Sequence, residues 1–195
     1  TQIVYNGCVE QPVECEVSLP EYCPDVQRVL CCQAESYLRC PAVQGEKLLA
    51  EGTLAVTVFY RSDQNQLKKV EYKLPYTRVI EMKSAPENAL VYCRSWCSYL
   101  GCRAVSPRRL DLKSSVTICA LVRGQTQESI LDGGASGGGL QLKCRVIPSN
   151  QLAMTAFRQF DLAEEVELEP GKAPAEEIIA YRLTPQLTEQ KVLGS

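Results

Sequence analysis

The sequence contains no histidine, and this absence removes a large part of enzyme chemistry. Without an imidazole, neither a Ser-His-Asp triad nor a Cys-His pair can form, and histidine-based metal sites are excluded. Long apolar runs are also missing, because no stretch approaches the roughly 18–20 residues that are needed to cross a bilayer. We therefore predict a protein that is not an enzyme and that has no membrane span.

An excess of charge of either sign is missing as well. The chain of 195 residues has 21 Lys and Arg against 23 Asp and Glu, which gives a net charge of −2. A near-neutral total gives no electrostatic reason to expect a nucleic acid as partner. The first residues lack both an initiator methionine and the basic and apolar regions of a signal peptide, so we expect a trimmed or processed chain.

Cysteine is abundant instead, with 11 residues. An odd number leaves at least one thiol unable to pair within its own chain. Three interpretations stay open: small buried apolar residues on strands, disulfides within or between chains, and a zinc site. The spacing Cys93-x3-Cys97-x4-Cys102 argues against zinc, because it is not a CxxC pair, and we expect no metal and no cofactor. The candidate crosslinking cysteines are Cys8, Cys15, Cys23 and Cys144.

Apolar and polar residues alternate along most of the chain, which is the pattern of strands with one buried face. Residues 48–60 and 67–76 flank a polar turn at 62–65 and predict a hairpin. A second hairpin is predicted from residues 89–105 and 110–122, with Ser106, Pro107 and Arg108 in the turn. The fold class is therefore all-β: an antiparallel β-sandwich or open barrel with one or two short helices, at 24–30 and 174–179.

A glycine-rich run at 133–139 predicts a flexible linker between two units. When the sequence is compared with itself, Val166 and Leu168 fall on Val17 and Leu19, and apolar positions keep register over some thirty residues. We therefore predict a first β unit at 1–132, the linker at 133–139, and the start of a second, truncated copy at 140–195. Unpaired strands in that copy would favour association with another chain, so we expect a homo-oligomer.

Four stretches of sequence resemble a known family. LPEYCPDVQRVL at 19–30 resembles the opening motif of the SPOCS domain, which is found in SipL-like sporulation and spore coat morphogenesis proteins. The resemblance continues in EGTLAVTVFY at 51–60, YKLPY at 72–76 and CRAVSPRR at 102–109. It implies a structural role in building the spore envelope through contacts with other spore-envelope proteins, in the mother-cell cytoplasm or on the forespore or spore surface.

Five residues are candidates for an interface: Tyr22, Asp25, Trp96, Arg108 and Arg109. For Tyr22 and Asp25, partner binding competes with a structural role in which Asp25 accepts hydrogen bonds from nearby backbone amides. Trp96 is expected in the core, with an interface anchor as the alternative. Arg108 and Arg109 are expected in a solvated turn, with pairing to a partner's acids as the alternative.

A cell-wall or carbohydrate-binding β-module is the alternative function. Such a site needs exposed aromatic side chains that converge on one face. The sequence offers nine tyrosines, three phenylalanines and one tryptophan, but no evident aromatic stripe.

Overall fold

The computed structural model describes residues 2–125 and 161–174, together with 178, 180, 181, 183, 186, 188, 189 and 191. The chain divides into two units, Thr1–Ala153 and Met154–Ser195. The described part of the first unit has seven strands and no helix, as predicted for an all-β protein. The strands are β1 Gln2–Ser18, β2 Val26–Leu38, β3 Ala42–Gln44, β4 Lys47–Ser62, β5 Leu67–Glu81, β6 Leu90–Ser106 and β7 Arg109–Gly124.

The seven strands form two antiparallel sheets. In the first sheet, β7 lies between β1 and β6. In the second, β4 is central: β5 pairs with it along one edge, and β2 and β3 pair with different parts of it. Both predicted hairpins are confirmed, as β4–β5 and β6–β7. The pairing of β1 with β7, far apart in sequence, was not predicted.

The core forms between the two central strands. Alternate residues of β4, from Leu48 to Tyr60, and of β7, from Leu110 to Val122, are fully or almost fully buried, and all of them except Gly52 and Ser114 belong to one hydrophobic cluster. The hydroxyl of Tyr76 on β5 donates a hydrogen bond to Ser95 Oγ on β6 at 3.0 Å. Ser36 Oγ on β2 lies 2.8 Å from the same Ser95 oxygen. This polar network therefore connects strands of both sheets.

The short helix predicted at 24–30 is wrong, because strand β2 begins at Val26. Pro24 suits the first position of a helix, but the β-branched Val26 and Val29 also suit a strand. Pairing with β4 decides between them, and register shifts near Val26 and Val29 accommodate the irregular start of β2. The second predicted helix, at 174–179, lies largely outside the described residues.

The described residues of the second unit contain a turn at Pro170 and Gly171 and no strand or helix. Gly171 has a φ of +91°, a conformation that favours glycine. Beside the turn, Lys172 Nζ lies 3.0 Å from the Glu169 carboxylate. The predicted linker at 133–139 and Cys144 lie outside the described residues. No helix in the described part of the chain could span a membrane.

Candidate interaction surfaces

The segment 19–25 connects β1 to β2 and is held in place by the side chain of Arg108. Arg108 Nη1 donates to the carbonyl of Cys23 at 3.1 Å and to Asp25 Oδ1 at 2.7 Å. Its Nη2 donates to the carbonyl of Pro20 at 2.9 Å and, more weakly, to that of Leu19 at 3.5 Å. A planar guanidinium with several fixed donors suits such a set of converging oxygens.

Backbone bonds attach the same segment to the β6–β7 turn. Leu19 N donates to the carbonyl of Arg108, and Val26 N to that of Pro107, both at 2.8 Å. The hydroxyl of Tyr60 donates to the carbonyl of Pro24 at 3.2 Å. The connection is therefore a fixed part of the fold, which we call the clamped segment (residues 19–25).

Two sequence expectations change here. Asp25 was expected to accept from backbone amides, but its carboxylate accepts from Arg108. Arg108 was expected in a solvated turn, yet its side chain bonds the clamped segment because β1 and β7 pair along their length and bring the turn to residue 19. Arg109 forms an ion pair with Glu16 across β1 and β7. Both side chains of that pair are about half exposed, so it contributes little to stability.

Tyr22 is a strongly exposed residue of the clamped segment. Its side chain is 87% exposed, whereas Leu19 and Cys23 on either side are buried. A tyrosine held out from a fixed backbone contributes a large contact area and loses little conformational freedom on binding. The position of Tyr22 therefore suits the interface role that its sequence allowed.

The outer face of the first sheet carries a row of aromatic side chains. Tyr92, Trp96 and Tyr99 lie on the edge strand β6 and are 40%, 40% and 60% exposed. Arg94 lies between the first two, and its guanidinium carbon is 5.3 Å from the centre of the Trp96 ring. This is the geometry of a cation–π contact. We call Tyr92, Trp96 and Tyr99 the aromatic row.

The aromatic row corrects two expectations. Trp96 is not in the core, and an aromatic stripe exists although none was evident in the sequence. The signal was period two along β6: Tyr92, Arg94 and Trp96 alternate with Cys93 and the next inward residues. A register shift between Cys97 and Tyr99 places Tyr99 on the outer face as well. Because the shift interrupts the period-two spacing, the three aromatic residues do not form a regular pattern in the sequence.

A groove of about 500 Å³ lies beside the aromatic row on the outer face of the first sheet. Its lining includes Tyr92 and Arg94 from β6, Leu121 from β7 and Asn6 from β1. The disulfide between Cys8 and Cys119 also lines it. The groove therefore offers apolar walls, one cation and a disulfide to a bound segment.

The structure places the described candidate cysteines in different environments. Cys8 is bonded to Cys119 within the chain, and the two residues are direct partners across β1 and β7. Cys15 is partly buried and Cys23 is buried, so neither is well placed to crosslink chains. Cys31 and Cys40, which the sequence did not single out, are exposed and free.

Several free thiols face inward and are held in the protonated form. Burial raises the pKa of Cys32, Cys93 and Cys97 above the usual thiol value. Burial is also the main cause that raises the pKa of Cys15, and it raises the pKa of Cys102 to about 11. Protonated thiols are poor nucleophiles and poor metal ligands. In the described part of the chain, no three Cys, Asp or Glu side chains are grouped so that they could hold a metal ion.

Comparison with known families supports the resemblance seen in the sequence. Residues 25–102 match the family model described as SipL, SPOCS domain, which confirms the predicted family over this stretch. The match runs from Asp25 in the clamped segment to Cys102 in β6 and so includes the aromatic row. No curated protein matches the chain, and no solved structure does.

Proposed function

We propose that this SPOCS-domain protein is a non-enzymatic interaction module in the assembly of the bacterial spore envelope. The family match gives it a sporulation-related role. The absence of histidine and the protonated state of the inward thiols support a role other than catalysis. As sites of action we propose the mother-cell cytoplasm or the forespore or spore surface.

The aromatic row is the observation that carries the proposed binding role. Tyrosine and tryptophan dominate the residues that contribute most to protein–protein affinity. Here they stand on a strand that is paired along its length with β7, so their positions are fixed before a partner arrives. A preorganised surface loses less freedom on binding. Tyr22 on the clamped segment offers a second exposed aromatic residue on a fixed backbone.

A carbohydrate-binding module is the second candidate, and the same row favours it. Exposed aromatic rings that share one face are what a sugar-binding site requires, and Tyr92, Trp96 and Tyr99 satisfy that requirement. The two candidates differ in their ligand, because one predicts binding to envelope proteins and the other predicts binding to protein-free glycan.

Co-sedimentation separates the two candidates. The full chain is mixed either with purified spore-envelope protein or with spore peptidoglycan stripped of protein. We expect binding to the envelope protein, and we expect Trp96→Ala to weaken it roughly tenfold or more, as for a central interface aromatic. Val79→Ala is the matched control, because Val79 is a similarly exposed apolar residue on the second sheet.

Each outcome decides between the candidates. Trp96-dependent binding to stripped glycan alone would replace the proposed function by carbohydrate binding. Binding to envelope protein that is equal for the wild type and Trp96→Ala would show that the aromatic row does not carry the interaction.

A further inference from the structure

The disulfide lies in the open on the outer face of the first sheet. Arg94, Cys119 and Cys8 are direct cross-strand partners, so they form one row across β6, β7 and β1. Cys8 is exposed and Cys119 is partly exposed, and both line the groove beside the aromatic row. We propose that this disulfide is a thiol–disulfide exchange site, at which a cysteine of a partner protein becomes covalently attached to Cys8.

The sheet order determines which sulfur is attacked. A thiolate displaces a disulfide sulfur along the line of the S–S bond, from the side opposite the leaving sulfur. For Cys8 that approach comes from the open edge of the sheet, because β1 pairs only with β7 among the described strands. For Cys119 it comes from the side of β6, where Arg94 stands in the same row. The accessible sulfur is therefore that of Cys8.

The exchange needs no oxidant. The partner's thiolate forms a bond to Cys8 Sγ, the Cys8–Cys119 bond breaks, and its electron pair leaves on Cys119 Sγ as a thiolate. That thiolate takes a proton from water. The neighbouring Arg94 cation favours the negative charge as it develops on Cys119. One disulfide is consumed and one is formed, so electrons balance without a further reactant.

The fold around the disulfide tolerates its opening. On either side of the bonded pair, Gly7 pairs with Ala120 and Val9 with Ile118, so β1 stays in register when the disulfide opens. The other described cysteines of this sheet are on its inner face, where burial raises the pKa of Cys15, Cys93, Cys97 and Cys102. No second thiol stands on the described outer face to remove the attached partner, except Cys119 itself.

The groove indicates which thiol fits. A compact thiol needs only the exposed sulfur at the open edge, whereas a protein segment that crosses β1 from that edge also contacts the groove walls formed by Tyr92 and Leu121 and the charge of Arg94. The partner we propose is therefore a protein cysteine flanked by apolar and acidic residues. Attachment of this kind deepens the proposed assembly role, since it would convert a reversible contact into a covalent one.

The test uses the full oxidised chain under anaerobic conditions. The probe is a short peptide with one cysteine flanked by leucine and aspartate, and glutathione is the compact thiol for comparison. Peptide mapping by mass spectrometry is expected to find the peptide on Cys8 and a free thiol at Cys119. Cys119→Ser leaves Cys8 without a disulfide, so it is expected to give no anaerobic adduct.

Arg94→Gln is expected to slow attachment of the acidic peptide roughly twofold to fivefold, the size of an exposed charge effect. Arg103→Gln on the same strand is the matched control and should react like the wild type, since Arg103 pairs with Asp111 away from the disulfide. Attachment to Cys119, equal rates for the peptide and glutathione, or no adduct on the folded chain would each overturn the inference. None of these results would change whether envelope protein binds through Trp96. The exchange inference and the proposed function are therefore tested independently.

Discussion

Replacement of Arg108 by alanine removes all four hydrogen bonds that its side chain donates to the clamped segment, and leaves the bond from the Tyr60 hydroxyl to the carbonyl of Pro24. The guanidinium donates to the carbonyls of Pro20 and Cys23 and to Asp25 Oδ1 within 3.1 Å, and to the carbonyl of Leu19 at 3.5 Å. Alanine leaves these oxygens without that donor. The backbone bonds between the segment and the β6–β7 turn remain.

The expected loss follows from those bonds. A buried hydrogen bond from a charged donor contributes about 1.5–3 kcal/mol, but the Arg108 side chain is 41% exposed, so water replaces part of each interaction. If the three short bonds contribute about 1 kcal/mol each and the long one little, Arg108→Ala destabilises the fold by about 2–3 kcal/mol. Asp25→Asn weakens only the ion pair and should cost at most about 1 kcal/mol.

Urea unfolding followed by tryptophan fluorescence measures the effect, because a change in the midpoint at constant slope reports stability. Arg109→Ala is the control: its ion pair with Glu16 is exposed, and its removal should cost less than about 0.5 kcal/mol. If Arg108→Ala and Arg109→Ala unfold at the same urea concentration, the clamp does not stabilise the fold and the reasoning is refuted.

Two further predictions concern the core and the tyrosines. Gly52→Ala would place a Cβ 2.3 Å from the Tyr76 ring, so we expect the free energy of unfolding in urea to fall by about 1–3 kcal/mol. Adding Tyr76→Leu should restore part of that loss, because it removes the ring. Thr53→Ala on the same strand is the control and should not show the loss. Burial, and then the nearby Cys23, raises the pKa of both Tyr60 and Tyr72 to about 12. An acid whose pKa rises on folding stabilises the fold below its unfolded pKa, so stability should fall as pH rises from about 10 through 12. Tyrosinate absorbance that shows all nine tyrosines ionising together near pH 10 would contradict this.

Local structure was predictable from the sequence where period two and turn residues agree. The β4–β5 and β6–β7 hairpins were predicted because each has an alternating strand on both sides of a polar or proline-containing turn. The pairing of β1 with β7 has no such signal, since Cys8 and Cys119 are 111 residues apart and nothing local relates them. The groove, the disulfide and the Arg108 clamp all depend on that pairing, so none of them could be predicted.

Which face of a strand points into the core was harder to predict than the position of the strand in the sequence. On β6 no residue is fully buried, and tyrosine, tryptophan and cysteine occur on alternating sides. Because these residue types occur both in cores and at interfaces, composition does not show which side faces inward. The pairing of β6 with β7 places Trp96 on the outer face and Cys97 on the inner face, and the register shift after Cys97 brings Tyr99 to the outer face.

The structure of the first unit makes the predicted internal repeat more specific, because it shows which positions of the first copy face the core. When Leu168 is aligned with Leu19 without gaps, each large apolar residue exposed in the described tail falls on a core-facing position of β1, the clamped segment or β2. The pairs are Leu162 with Val13, Val166 with Val17, Leu168 with Leu19, Ile178 with Val29, Tyr181 with Cys32 and Leu183 with Ala34. Glu164 and Lys172 depart from the pattern, since they fall on Cys15 and Cys23.

In the first unit, β1 and β2, which carry five of these six positions, are paired along their length with β7 and β4. The described tail contains no strand that could do the same. Side chains patterned for a core but exposed along their length favour pairing with strands from elsewhere, and a second copy of this chain is one source of such strands. The second unit and the homo-oligomer therefore stay predictions, and both now depend on the same six side chains.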